Sequence, residues 1–219
     1  MKNLIFINLV LAVLLTASAC NGDRISGNGI ITSEERSINN FTGVTVEGST
    51  DVTVVKGANF KVKVIGYSNL IPYFETKVVN GNLVLGFKDH VNIRHDNTEV
   101  TVTMPTLNSL TTYGSGNITS TGAFTGNDDF EASISGSGNI KIEQGSAKNF
   151  FTSISGSGDV NAFGFSSEKA KVNIAGSGNA NVSASDNLTV KIAGSGNVYY
   201  KGTPSVTANI SGSGAVVKK

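Results

Sequence analysis

The side chains best suited to chemistry lie in one charged stretch, residues 88–96, which holds both histidines of the chain. His90 and His95 could bind a metal ion together with Asp89 or Asp96 if a bend brought them close. On an extended strand, however, residues an odd number of positions apart point to opposite faces. Their spacing also matches no recurrent metal-ligand motif. The stretch is therefore interpreted first as a polar, protruding loop, with a weak metal site as the alternative.

Carboxylates that could serve a polysaccharide lyase or hydrolase are scattered along the second half of the chain. Such sites need acids a few ångströms apart on one face. The adjacent pair Asp128-Asp129 would point to opposite faces of a strand, so it is interpreted as part of a solvated loop. A carbohydrate-active enzyme that uses the region from Asp89 to Asp96 is kept as an alternative hypothesis. The other acids of this half are Glu131, Glu143, Asp159, Glu168 and Asp186.

A Gly-Ser-Gly tetrapeptide, ending in Asn, Asp or Ala, recurs six times at nearly even intervals. A period of about twenty residues with strand-like sequence between the copies is typical of a solenoid, in which each repeat is one coil. Glycine suits either a sharp corner or an inward position too narrow for any side chain, and the corner is favoured. The glycines predicted to form these structural turns are Gly114, Gly116, Gly136, Gly138, Gly156, Gly158, Gly176, Gly178, Gly194, Gly196, Gly212 and Gly214.

The tetrapeptide does not fit the usual glycine-rich ligand sites. A phosphate loop needs a following helix and usually a lysine. Calcium-binding repeats need an acid in every copy, whereas only Asp159 supplies one here. The sequence therefore predicts no bound cofactor. Because Asn and Asp can bond neighbouring backbone groups, we expect an external or internal ladder of Asn117, Asn139, Asp159, Asn179 and Asn197.

Apolar side chains on both sides of the tetrapeptide align into columns, and the residues between them, such as Glu131, Ser153 and Lys191, are polar and should face outwards. Equivalent strands of successive coils would be parallel and about 4.8 Å apart. The pattern predicts an all-β fold, a right-handed parallel β-helix with about 18–22 residues per coil. The inward columns are Ile134, Ile154, Ile174, Ile192 and Ile210 before the tetrapeptide, and Ile118, Ile140, Val160, Ala180, Val198 and Val216 after it.

Aromatic side chains between the inward columns provide a candidate sugar-binding feature, because aromatic faces can stack on sugar rings. Tyr199, Tyr200, Phe151 and Phe165 are predicted to face outwards, but they do not fall in one column. Packing against a cap or a neighbouring coil is therefore favoured, with sugar stacking as the alternative. A stack of coils would in any case present an extended shallow surface rather than a deep pocket.

The N-terminal half alternates like β-strands but has no regular period. Around Gly48, a fainter copy of the tetrapeptide has the same apolar flanks. The interval from Gly48 to Gly114 equals about three periods of the repeat, which predicts irregular coils continuous with the repeats; a β-sandwich cap is the alternative. The expected organisation is a signal peptide (1–19), a flexible tether (20–40), an irregular β region (41–112) and regular coils (113–219).

The first residues have the composition of an export signal. Lys2 precedes an apolar run over positions 4–15. This run is too short to cross a membrane as a helix, which takes about 20 residues. The small residues of 17–19 stand directly before Cys20, the only cysteine, and look like a lipobox, although Ala17 stands where leucine is common. We therefore predict that Cys20 is lipidated and that its acyl chains bind the outer membrane, with an ordinary secretory signal as the alternative.

The charge balance argues against one class of partner. Lys2 is the only charged residue of the signal, so 16 of the 17 basic residues stand against 16 acidic ones in the mature chain. Nucleic-acid binding calls for a strong basic excess, and charge-driven membrane binding calls for a basic patch. We therefore expect no nucleic-acid partner.

The Ile-Ser-Gly-Ser-Gly-Asn repeats, together with the upstream segments 51–54 and 100–107, resemble the head GIN domain family of autotransporter adhesins, common among exported lipoproteins of Bacteroidetes-type bacteria. The resemblance covers about residues 37–219. It implies a right-handed β-helical fold, a cell-envelope location and no established catalytic activity, and it carries over no binding residues.

The sequence thus leads to a non-enzymatic, lipid-anchored β-solenoid at the outer membrane that binds a glycan or an envelope protein. The alternatives are the carbohydrate-active enzyme and a structural or signalling accessory that assembles through the solenoid ends. Periplasmic and surface-facing orientations both fit, and so does any oligomeric state.

Overall fold

The computed structural model describes residues 24–219, so the predicted signal peptide and Cys20 lie outside the described residues. The described chain is almost entirely β-strand, with a single turn of 3-10 helix at Ile71–Tyr73. In this part of the chain, no helix combines the length and hydropathy that a membrane crossing requires. The strands are β1 (Arg24–Ser26), β2 (Ile31–Arg36), β3 (Gly43–Gly48), β4 (Asp51–Lys56), β5 (Lys61–Tyr67), β6 (Phe74–Val79), β7 (Asn82–Phe87), β8 (Asn92–Arg94), β9 (Glu99–Met104), β10 (Ser109–Gly114), β11 (Ile118–Gly136), β12 (Ile140–Gly156), β13 (Val160–Gly176), β14 (Ala180–Gly194), β15 (Val198–Lys201), β16 (Ser205–Gly212) and β17 (Val216–Lys218).

The second half of the chain is a parallel β-solenoid, as the period predicts, and the whole solenoid has about six turns. The strands β11 to β14 are long because each bends with its coil, and each pairs in parallel with the equivalent strand of the next coil. The isoleucine column lies in register from Ile134 to Ile210. Its first four members are buried, whereas Ile210 is 39% exposed because β16 forms the last coil.

A cluster of phenylalanines packs in the core of the regular coils. Phe130 and Phe150 align in register, and the next position of that column is Ala170. Phe165 packs against both rings, with centroid distances of 4.6 Å to Phe130 and 5.4 Å to Phe150. The prediction that Phe165 faces outwards is therefore wrong. The extra residue Gly164 shifts the alternation of β13, so that Phe165 points inwards and is fully buried.

The coils of the N-terminal half do not stack in sequence order. Gly48 of β3 aligns directly with Gly114 of β10, and Val52 of β4 aligns with Ile118 of β11. On the opposite side of this coil, β7 pairs with β3 and β9 pairs with β4, all in parallel. The irregular coils are thus continuous with the repeats, but their order in the stack differs from their order in the chain, so the interval from Gly48 to Gly114 does not represent three stacked coils. Residues 57–108 instead form the coil below β3 and β4, through β7 and β9, and the chain then continues into β10 above β3.

Antiparallel strands cover the N-terminal end of the solenoid. β5 pairs with β9, β2 pairs with β5, and β6 pairs with β7, which satisfies backbone groups that an open parallel end would expose. β2 is fastened to the body because the Arg36 guanidinium donates hydrogen bonds to the carbonyls of Phe74 (2.7 Å) and Ile71 (3.2 Å). The predicted flexible tether of residues 20–40 therefore does not hold for residues 24–36, which form β1 and β2.

Candidate functional site

Nine strand segments lie side by side and form one long, flat outer surface, which we call the flat face. Eight intervals of about 4.8 Å make this face about 38 Å long. Since side chains alternate along each strand, every second residue of a segment points outwards. In stacking order the segments are β6, β7, β3, β10, residues 130–136, residues 150–156, residues 170–176, residues 188–194 and β16.

Outward side chains of the flat face are mostly small and polar, which keeps the surface even. They form columns because each coil repeats the register of the one below. Hydroxyl and amide groups therefore recur at the strand spacing along the length of the face. The central column is Thr45, Thr111, Ser133, Ser153, Asn173, Lys191 and Asn209; the column next to the tetrapeptide is Glu47, Tyr113, Ser135, Ser155, Ala175, Ala193 and Ser211.

Two aromatic rings project from the flat face. Tyr113 on β10 is 54% exposed, and Phe151 on β12 is 40% exposed. Phe151 is outward as predicted, whereas Tyr113 was not singled out from the sequence. Its position directly before the first glycine of the tetrapeptide is an outward one in every coil, and this alignment could have revealed it. Tyr199 and Tyr200 lie on a different side, on β15, and are half-buried.

A shallow depression of about 510 Å³ lies in the C-terminal half of the flat face. Its polar lining consists of hydroxyl, amide and ammonium groups, and no carboxylate takes part. Lys171 and Lys191 supply the ammonium groups, and neither has an ion-pair partner among residues 24–219. The lining residues are Ser153, Ile154, Ser155, Lys171, Asn173, Ile174, Ala175, Lys191 and Ala193.

A second cleft, of about 390 Å³, lies on a neighbouring side. At its edge the Lys148 ammonium lies 2.6 Å from the Asp128 carboxylate. The hydrogen bond and charge of Lys148 lower the pKa of Asp128, and Asp128 raises the pKa of Lys148 in return. Asp129 accepts a separate hydrogen bond from Asn149 at 2.8 Å. The two adjacent carboxylates thus have different partners and are solvated as predicted, but they lie within β11 and not in a loop. The cleft is lined by Gly126, Asn127, Ser146, Ala147, Lys148, Ser166, Ser167, Glu168 and Ser185.

Glycine is required twice at each corner, for different reasons. Gly156 has a φ of 133°, which L side chains rarely adopt, and a Cβ there would also collide with the carbonyl oxygen of Gly136. Gly158 has no positive φ, but a Cβ there would collide with the carbonyl oxygen of Gly138 in the preceding coil. The structure therefore places these glycines at close-packed corners.

An amide ladder follows the corner on its outer side. Asp51 Oδ1 accepts hydrogen bonds from the backbone and side-chain nitrogens of Asn117, and Asn117 Oδ1 accepts the same pair from Asn139. The pattern changes at Asp159, whose carboxylate has no amide hydrogens to donate, so Asn139 Oδ1 receives only its backbone N–H, at 3.0 Å. The ladder ends at Ala215, which donates its backbone N–H to Asn197 Oδ1.

The histidine-rich stretch forms no metal centre among the described residues. His90 and His95 are exposed, with left-handed φ angles of 65° and 52°, and His95 Nδ1 lies 3.0 Å from Ser26 Oγ. Asp96 Oδ1 accepts hydrogen bonds from the backbone and hydroxyl of Thr98. This carboxylate therefore shapes the local turn.

Asp89 lies apart from the histidines' hydrogen bonds, at the N-terminal end of the flat face. With Glu47 and Glu75 it lines a narrow depression there. Glu75 lies 3.7 Å from Lys77, which partly offsets its charge. The structure thus brings one acidic residue of the predicted charged stretch to the end of the flat face.

Comparison with known proteins supplies a family and a set of structures. Residues 40–204 match the family model described as "Putative auto-transporter adhesin, head GIN domain". None of the curated proteins compared matches the chain.

Several solved structures share the fold. A "putative adhesin" from Bacteroides fragilis NCTC 9343 is 16% identical with a TM-score of 0.70, and the match covers 89% of this chain and 100% of that one. Two structures from Parabacteroides distasonis ATCC 8503 match over 90% of this chain and 100% of theirs. One is a "putative lipid binding protein" at 26% identity and a TM-score of 0.63, and the other a "putative adhesin" at 27% identity and 0.54.

Proposed function

This chain belongs to the head GIN domain family of auto-transporter adhesins, and from that membership we propose that it is a non-enzymatic binding protein of the bacterial cell envelope. Its ligand is an extended macromolecule, a glycan, that lies along the flat face. One observation carries this proposal: the even, elongated surface presents repeated hydroxyl and amide groups beside two exposed aromatic rings.

The shape of the flat face favours a polymer over a small molecule. Small ligands usually bind in concave sites that cover most of their surface. The flat face is shallow, but it repeats similar donors and acceptors from coil to coil, so an extended chain can contact many coils at once. Tyr113 and Phe151 add exposed rings, and their apolar faces are surfaces on which a sugar can stack.

Two other roles receive less support. A glycosidase would need paired carboxylates beside its ligand, but the depression of the flat face has none in its lining, and Asp128 and Asp129 are bound to Lys148 and Asn149. One solved relative is described as a lipid binding protein. The two surface depressions described above are open and shallow, so an acyl chain bound there would remain largely exposed to water.

We further propose that acyl chains on Cys20 hold the protein at the outer membrane. β1 begins at Arg24, four residues later. Four extended residues span at most about 14 Å. An anchor at Cys20 would therefore keep the capped, N-terminal end of the solenoid near the bilayer. The flat face would then extend away from that end.

The test is a glycan-binding screen with residues 21–219, followed by Phe151→Ala and Tyr113→Ala on the best ligand. Loss of one stacking contact should cost about 1 kcal/mol, or roughly fivefold in Kd for each variant. Tyr199→Ala, on another side of the solenoid, is the matched control and should bind like the wild type. If all three variants bind equally well, the ligand does not use the flat face and the proposal is wrong.

A further inference from the structure

Acidic side chains of the flat face lie in its N-terminal half, where Lys77 is paired with Glu75, and basic side chains with no ion-pair partner in the described chain lie in its C-terminal half. In the N-terminal half, Glu47 and Glu131 are exposed and point outwards. In the C-terminal half, Lys171 and Lys191 point outwards, and segments 170–176, 188–194 and β16 contain no acidic residue. The depression of the flat face therefore lies in a region whose formal charge is positive only.

The two lysines are close enough to act on one ligand. The register aligns Lys171 with Thr189, two residues before Lys191 on the neighbouring strand. This diagonal places their Cα atoms about 8 Å apart, since strands are about 4.8 Å apart and two residues rise about 6.6 Å. Ammonium groups on flexible stems can converge over such a distance on one anionic group, or bind two groups separately.

An aromatic ring stands next to this pair. Phe151 aligns with Lys171 on the adjacent strand, at the same outward position. The Ser153 and Asn173 side chains lie in the central column beside them and line the same depression. One site thus combines an apolar ring face, hydrogen-bonding groups and two cations without ion-pair partners among the described residues.

We infer that the glycan bound by the flat face is anionic, a polysaccharide with carboxylate or sulfate groups, and that Lys171 and Lys191 bind these groups while Phe151 stacks on a sugar ring. The inference rests on the proposed function and adds the charge class of the ligand. The alternative ligand is a second copy of the chain, bound through the acidic half of its flat face. The exposed Phe151 ring favours the polysaccharide, because a sugar ring can cover it while its charged group reaches Lys171.

The experiment compares two polymers of equal backbone: polygalacturonate, which is charged at every sugar, and its fully methyl-esterified form, which is neutral. Residues 21–219 should bind the charged polymer more tightly, with an affinity that falls as salt rises because exposed charges are screened. The double variant Lys171→Gln/Lys191→Gln should weaken binding of the charged polymer about five- to tenfold. The matched control, Lys201→Gln/Lys218→Gln, removes the same charge from other sides and should leave binding unchanged. Dextran sulfate against dextran repeats the comparison for sulfate.

Three results would overturn the inference. If both forms of a polymer bind equally and Phe151→Ala still weakens them, the face binds glycans but does not select charge, so the proposed function survives alone. If neither charged polymer binds, the inferred ligand class is wrong. If sedimentation instead shows a wild-type dimer that the variant Lys171→Gln/Lys191→Gln dissociates, the basic half binds a second copy of the chain.

Discussion

At the scale of single residues, the recurring tetrapeptide solves a packing problem at each corner. Its two glycines lie against carbonyl oxygens of the coil below, and the first also has a positive φ. The serine between them is exposed in the regular coils and makes no comparable demand. The carbonyl of Gly136 accepts hydrogen bonds from the backbone N–H groups of both Ser157 and Gly158, which ties the two corners together. Any side chain at the glycine positions would push these coils apart.

We expect Gly156→Ala to lower the free energy of unfolding by about 3 kcal/mol or more, because strain from φ adds to the collision with Gly136. Ser157→Ala, between the two glycines, should change it by less than about 0.5 kcal/mol. Urea denaturation of residues 21–219 measures both. Equal unfolding midpoints for the two variants would show that the corner tolerates a side chain.

At the scale of elements, the amide ladder and the strand ladders reinforce one another from coil to coil. Each asparagine in a complete step donates both a backbone and a side-chain N–H to the amide or carboxylate oxygen below. Asp159 interrupts the series, since a carboxylate accepts hydrogen bonds from Asn179 above but cannot donate to Asn139 below. The ladder is therefore one bond short at that step.

Asp159→Asn should stabilise the protein by about 1 kcal/mol at neutral pH, because the new amide can donate the missing hydrogen bond to Asn139. The reverse change one coil later, Asn179→Asp, removes such a donor and places a second carboxylate beside Asp159, so it should destabilise. Both are measured by chemical denaturation. Should Asp159→Asn leave stability unchanged or lower it, the side-chain bonds add nothing to the strand ladders.

The regular coils could be predicted from the sequence, and the exceptions show why the rest could not. The register of Ile134 to Ile192 follows from the period, because a stack repeats its inward positions. The pairing of Gly48 with Gly114 does not follow from the sequence. Residues 57–108, which lie between the two strands, are long enough to be mistaken for further coils of the regular stack. Phe165 points inwards because the alternation of buried and exposed residues in β13 shifts by one position at Gly164. A prediction that assumes strict alternation misses this shift. Tyr113 was within reach of the repeat alignment, but the depression beside Phe151 depends on the packing of three coils.

At the scale of the whole molecule, the two ends of the solenoid differ. Antiparallel strands β2, β5 and β6 cover the N-terminal end. At the other end, the inward side chains of the last coil are exposed, among them Val206 (38%) and Ile210 (39%). The net formal charge of the flat face that joins the two ends changes from acidic, with Lys77 as the one basic residue of β6, to basic. The proposed anchor at Cys20 would orient these differences relative to the membrane.

Cys20→Ala should move the full-length protein from the membrane fraction of lysed cells to the soluble fraction, because no acyl chain can be attached. Stable anchoring needs more than one acyl chain, so the loss of the thiol should remove it almost completely. Asn21→Ala is the neighbouring control and should stay with the membrane. Fractionation followed by immunoblotting reads out both variants, and a wild-type protein that takes up no labelled palmitate would exclude a lipid on this residue.

If the chain is exported as proposed, the order of the first coils in the stack affects how it can fold during export. A chain that emerges from a translocation channel with its N-terminus first exposes β3 well before β7, and long before β10, the two strands that flank it. Such distant pairings form slowly, because the entropy of closing a long loop is lost before the stabilising hydrogen bonds can form. Each later coil, in contrast, needs only the template of the coil directly before it. The earliest strands to leave the channel are thus among the last to be enclosed, and protection of these edges by other envelope factors would matter most at that stage.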